Sequence, residues 1–243
     1  MALIEIDGSR VTRYGVMIES NDWPFWISQN GGSVFDDPIA PTAFAMYQPD
    51  AIKAVQFLGD MIHVDRSMPS FPEGSQAGGT IRMFLSQQAA MSITNAARPG
   101  SYAASDFQWA VAPLPTGPTG IRANRIGGAG FGMNPNAADP DAAWNFLSFV
   151  AGAQGQSIFA GPAAAAVPGM TGNAQVQAAF QAPFADVFPT ETASGELLSQ
   201  FPEFVDISNL CIDPALDLVW NGKADAATTI GGIADQVNAR LAQ

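Results

Sequence analysis

The chain has 243 residues, 47% of them apolar and only 13% charged, and 22 acidic against 10 basic side chains leave a net charge of −12. That apolar share builds a sizeable core and excludes a disordered chain, and the length suits one large domain or two small ones. A surface so acidic, without a lysine or arginine run, repels a polyanion and excludes nucleic acid as a partner, and no apolar run reaches the ~18 residues of a membrane span.

Residues 3–18 read as two short strands about a turn at Asp7-Gly8-Ser9. A polar, aromatic loop follows at Asn21-Asp22-Trp23-Pro24-Phe25-Trp26 and runs to Asn30-Gly31-Gly32. Pro49 to Val64 is predicted as a helix, with Ile52, Val55, Leu58 and Ile62 on one face. Residues 65–79 read as a Pro/Gly/Ser-rich loop, Thr80 to Gln87 as a helix burying Ile81, Phe84 and Leu85, and Ala89 to Thr94 as a strand. A loop spans Asn95 to Ser105, a strand Phe107 to Ala112, and a turn Pro113 to Gly120.

Apolar residues alternate with glycines over 125–133, which predicts a strand closely approached by backbone or ligand. Asp139 and Pro140 mark a helix start whose buried stripe is Ala143, Phe146, Leu147 and Val150. Shorter helices are expected over Gln154–Phe159 and Asn173–Phe180. Another covers Ile207–Trp220, entered or kinked at Pro214 and stopped by Asn221-Gly222, and the last runs from Asp225 to Leu241. Alanines at 163–166 form the one low-complexity tract.

Chemistry-bearing residues are sparse. The single histidine, His63, has no Ser-His or Cys-His spacing and reads as a solvated helix-end residue. Cys211, between Leu210 and Ile212, reads as a small buried hydrophobe, and a single cysteine allows no intramolecular disulfide. No zinc, EF-hand, Walker or dinucleotide pattern is present, so neither a metal nor a cofactor is expected. Asp36, Asp37, Glu203, Asp206, Asp213 and Asp217 could furnish a carboxylate pair for a glycosidase, yet sequence alone brings no two of them together. Rings at Trp23 and Trp26 either anchor their loop to the core or stack on a sugar's C–H face. Arg98, beside Asn95, is either a surface residue or a clamp on an anionic or hydroxyl-rich ligand. No catalytic set is legible.

Five stretches occur in order. They are Tyr14-Gly15 with Gln29-Asn30-Gly31-Gly32; Phe84 through Ala89-Ala90-Met91; Pro113-Leu114-Pro115 leading to Gly127-Gly128; Asp141 to Leu147 with Gln154-Gly155-Gln156; and Val219 to Lys223. Together they resemble the extracellular solute-binding proteins of ABC importers, in the group with maltodextrin- and glycerol-phosphate-binding members. Gln87 stands where that family commonly has glycine.

The resemblance implies an α/β, periplasmic-binding-protein-like fold of type II that closes on its ligand like a hinge. It implies that residues 1–125 belong to the second lobe, that 126–170 cross to the first, and that 171–243 return. Most of the first lobe would be absent, and apolar surface on the crossing segment would then favour a homo-oligomer. It implies ligand contacts at Trp23, Trp26, Asn95, Arg98, Gly127, Gly128 and Asn209, with a permease as partner and a location outside the membrane. The N-terminus itself carries no basic start and no long apolar stretch, so it is no secretory signal. The expected function is capture of a sugar or polyol without covalent chemistry. A carboxylate-dependent hydrolase, a non-binding structural unit and a polyol phosphate as ligand remain the alternatives.

Overall fold

The computed structural model describes residues 3–96, 98–103, 105–128, 130–160, 169–170, 172–180 and 187–242. The alanine tract at 163–166 lies outside them. The chain divides into two compact units: residues 1–93, 114–126 and 194–243 form the first, and residues 94–113 and 127–193 the second.

In the first unit the opening strands form as the turn chemistry predicts. Strand β1 (Glu5–Asp7) pairs antiparallel with β2 (Arg10–Met17), Asp7 lying opposite Arg10. Exposure falls along β2 from Arg10 to the buried Gly15-Val16-Met17, so its carboxyl end enters the core. Strand β3 (Ala89–Ser92) runs parallel to β2, with Tyr14 opposite Ala89 and Val16 opposite Met91. A parallel pair requires a long crossover. Here it carries four helices: α1 (Trp23–Gln29), α2 (Pro49–His63), α3 (Phe71–Gln76) and α4 (Gly79–Leu85).

Two of these helices correct the sequence reading. Residues 23–29 are helix rather than loop. Pro24 occupies the first turn, where its missing N–H costs nothing, and burial of Trp23, Phe25 and Ile27 drives the segment onto the core. Residues 71–76 also form a helix, because the Ser70 hydroxyl accepts from the Glu73 backbone N–H at 3.3 Å and caps the first turn. In α4 the buried side chains are Thr80 and Met83, while Ile81, Phe84 and Leu85 are half-buried.

Helix α2 is the centre of the unit. It buries Ala51, Ala54, Val55, Leu58, Met61 and Ile62; of the predicted stripe Val55, Leu58 and Ile62 are buried and Ile52 is half-buried. Late in the chain come α10 (Phe204–Ile207), a π-turn at Ser208–Ile212, α11 (Asp213–Trp220) and α12 (Ala226–Leu241). The expected kink at Pro214 is this π-turn, since a proline inside a helix cannot donate to the preceding turn. Helix α11 docks on α2 at Gly59, where a Cβ would stand 2.9 Å from Val219 Cγ1. Asp225 caps α12 by accepting from Thr228 N–H at 2.8 Å. A short parallel pair, β4 (Asn124–Arg125) with β5 (Gly195–Glu196), completes the unit.

The second unit is helical: α5 (Pro99–Tyr102), α6 (Pro140–Ala151), α7 (Ala153–Phe159), α8 (Ala174–Ala179) and α9 (Val187–Ala193). Asp139 caps α6 as expected, accepting from Ala142 N–H at 2.9 Å. Three expectations fail here. Residues 107–112 form no strand. Beyond Arg125 the described residues of the glycine-rich stretch form none either, and a Cβ at Gly128, Gly130 or Gly132 would meet nothing within 4 Å. Of the predicted α6 stripe only Val150 is buried, whereas Phe146 is 66% exposed. Amphipathic spacing locates a helix's apolar face but not what covers it.

Truncating Leu58 to Ala, at a site with no exposed area, should cost about 2–5 kcal/mol in urea unfolding. Val64→Ala, at a residue 70% exposed, should cost under about 0.5 kcal/mol. Equal effects would contradict the placement of the core on α2.

Candidate functional site

A cavity of about 310 Å³ opens in the first unit where β2 ends. Ligands of open α/β sheets bind at the carboxyl ends of strands, because side chains there project from loops beyond the closed sheet. Ser20 and Asn21 come from the segment that leaves β2, and Trp23 and Pro24 from the start of α1. Phe71 comes from α3 and Phe204 from α10. Ser208 sits in the π-turn, and Asp213, Asp217 and Trp220 lie along α11. Some two hundred residues of chain separate the two walls.

The floor is aromatic. Trp23, Phe71 and Trp220 are each less than a tenth exposed. Phe71 meets Trp220 edge to face, with centroids 5.4 Å apart. The rim is polar: Ser20, Asn21 and Asp217 are exposed, and Ser208 donates to Asp213 at 3.3 Å. Burial raises the Asp213 carboxyl above the ordinary range, against the lowering effect of the Ser208 bond. Helix α1 is held beneath by Gln29, whose side-chain amide donates to the Ala123 carbonyl at 2.7 Å and whose own carbonyl accepts from Thr119 at 2.9 Å.

Asp22, in sequence between the lining residues Asn21 and Trp23, is the most perturbed carboxyl of this region. Burial pushes it up to about 6, Arg125 at 3.8 Å pulls it down, and Glu19 pushes it up again. Among the described residues no group of three or more His, Cys, Asp or Glu side chains is placed to hold a metal ion. No helix among them is long and apolar enough to cross a membrane. An aromatic floor with a rim of carboxylate, amide and hydroxyl can seat a ring with C–H faces and hydroxyl edges.

The residues singled out in the sequence fall in both units. Trp23 lines the cavity floor. Trp26, one turn on, is half-buried and packs against Phe57 with centroids 5.9 Å apart. Asn209 is exposed in the π-turn, next to the cavity-lining Ser208. In the second unit Asn95 is exposed and its carbonyl accepts from the Arg98 N–H at 3.1 Å. Arg98 is half-buried, with a covered Nε that meets no hydrogen-bond partner. Gly127 and Gly128 are exposed. Ser20, Asn21, Ser208 and the cavity role of Asp213 and Asp217 were not singled out together, because nothing in the sequence announces that α11 packs beside the end of β2.

The profile of the bacterial extracellular solute-binding protein family matches residues 7–157. The chain therefore belongs to that family. No curated protein matches it by sequence. Among solved structures it is similar to an ABC substrate-binding protein from Listeria monocytogenes in complex with cycloalternan. That match has a TM-score of 0.78 at 18% identity and covers 98% of this chain and 61% of the other. It is also similar to the maltose-bound MalE3 protein of T. maritima, at TM-score 0.76, 20% identity and coverages of 93% and 60%. UgpB from Mycobacterium tuberculosis in complex with glycerophosphocholine matches at TM-score 0.75 and 19% identity, with coverages of 94% and 58%. The fold is thus the α/β type II periplasmic-binding-protein fold, and the chain spans about 60% of the length of these structures.

Because the folded state raises the Asp22 carboxyl, that group supports folding while protonated. Its contribution is full below the unfolded value of 3.8 and is lost as pH climbs through about 6. Asp22→Asn cannot ionise. Its stability relative to the parent should rise by up to about 3 kcal/mol between about pH 4 and about pH 7, at ~1.4 kcal/mol per pKa unit. Urea midpoints at the two pH values check this, and an unchanged difference would contradict it.

Proposed function

We propose that this chain captures a sugar or related polyol outside the membrane for a carbohydrate ABC importer and does no covalent chemistry on it. The observation that carries the reading is the cavity at the end of β2, with an aromatic floor and a hydrogen-bonding rim, in a member of an extracellular solute-binding family. Relatives of this fold solved with cycloalternan and with maltose support the ligand class. The permease of such an importer is the protein partner.

Asn21, Ser208 and Asp217 offer hydrogen bonds to ligand hydroxyls, and Trp23 offers apolar contact from below. Trp26 and Asn209 stand at the margin of this wall. Asn95, Arg98, Gly127 and Gly128 belong to the proposed further contacts. Residues 1–125 and 171–243 are assigned to one lobe and 126–170 to the crossing segment. Asp213 and Asp217 lie one turn apart on a single helix and so share one wall. Glycoside hydrolysis needs carboxylates on both sides of the scissile bond, so this arrangement supports binding over hydrolysis.

Trp144, Phe146, Phe149 and Ile158, each at least 45% exposed, give α6 and α7 an apolar surface of the kind that associates. The chain should run as a dimer or larger species in multi-angle light scattering, and a monodisperse monomer would contradict this.

Isothermal calorimetry against a panel of neutral mono- and oligosaccharides should find saturable binding, and failure of every member would overturn the proposal. Asn21→Ala removes an exposed side chain and spares the core. It should weaken the best ligand by about 1–3 kcal/mol.

A further inference from the structure

The first unit has a second, larger cavity of about 560 Å³ at the opposite end of the same strand. Its walls include Arg10 and Thr12 at the start of β2, His63 at the end of α2, and Arg66 and Ser70 beyond it. It shares no lining residue with the cavity at the carboxyl end of β2. The two are neighbours: Ser70 lines this one and Phe71 the other, and His63 Nε2 lies 3.1 Å from the Trp220 carbonyl.

Its charge runs against that of the whole molecule. The chain has ten basic side chains and one histidine and carries −12 overall, yet two arginines and the histidine face this space. The opposing charge in the wall is Glu73, and one of its oxygens already accepts from the Tyr14 hydroxyl at 2.6 Å. Asp7 is the cross-strand neighbour of Arg10. Arg66 is held in place by one N–H that donates to the Ser9 carbonyl at 2.5 Å. The His63 Nε2 donates to the Trp220 carbonyl at 3.1 Å, which turns Nδ1 elsewhere. Ser70 adds a hydroxyl, which accepts from the Glu73 N–H and keeps its own O–H to donate, whereas the Thr12 O–H is donated to the Glu5 carbonyl at 3.2 Å.

Two guanidinium groups and a hydroxyl lining one cavity are a donor set that recognises a tetrahedral oxyanion. We propose that this cavity binds a small molecule bearing a phosphate-type oxyanion, held by Arg10 and Arg66 with hydroxyl support from Ser70. The volume exceeds that of the anion alone and leaves room for a polar organic remainder.

The single histidine supplies a direct probe, since its ring C–H signals in an NMR spectrum come from one residue. Inorganic phosphate is titrated at fixed pH against sodium chloride of matched ionic strength. The His63 signals should shift saturably with phosphate and not with chloride. Arg10→Gln, at an exposed position, should weaken that binding about tenfold or more, and Arg10→Gln with Arg66→Gln should abolish it in a protein whose circular dichroism is unchanged. If the double variant unfolds, the single Arg10→Gln titration decides the matter. A phosphate response equal to that of chloride, or a saturable response that Arg10→Gln leaves untouched, would overturn the proposal.

Discussion

Helix α11 rests on α2 where Gly59 leaves room for Val219, a spacing in which a Cβ would fall 2.9 Å from the valine methyl. Close helix approach of this kind needs a residue without a side chain at the contact. Much of the first unit follows from that contact. It carries Trp220 to Phe71 and places Asp213 and Asp217 beside the end of β2. It also brings the Trp220 carbonyl to His63 at 3.1 Å. The cavity is therefore a tertiary product, assembled from the segment after β2 and from helices that return to it late in the chain.

The aromatic residues act differently from what their local sequence suggests. Trp23 and Trp220 are nearly covered, at 6% and 4% exposure. They belong to the same apolar cluster as Ile27, Leu58 and Leu216. The floor of the cavity is thus the edge of the core itself. Such a floor is held by packing of its rings on the side away from the cavity. Polar groups at the rim are then free to set orientation at low conformational cost. Ser208 and Asp213 are held toward each other by their own hydrogen bond, and the π-turn created by Pro214 presents both.

Several helix caps, turns and apolar faces are legible in the sequence, whereas the Ser70 cap of α3 is not. Asp139 before Pro140, the stop at Asn221-Gly222 and the stripe of α2 all rest on interactions within a few residues of each other. The errors came where tertiary burial overrides local composition. The polar, aromatic stretch around Trp23 folds as helix because its rings find the core. The α6 stripe is present, but Phe146 stays exposed because what covers a helix face is not written in that helix. Family membership was readable from weak motifs in order, whereas the cavity was not, since Asn21 and Asp217 are adjacent only through the docking of α11. Trp23 was singled out for its ring and does line the cavity, as floor rather than as an open loop.

The central claim is that ligand enters at the carboxyl end of β2, between the aromatic floor and the rim on α11. A crystal structure of the chain with its tightest-binding sugar tests this most directly. The account predicts sugar hydroxyls at hydrogen-bond distance, about 3 Å, from Asn21 and Asp217, with a ring face toward Trp23 or Trp220. A sugar bound with no contact to any of these four residues would contradict it.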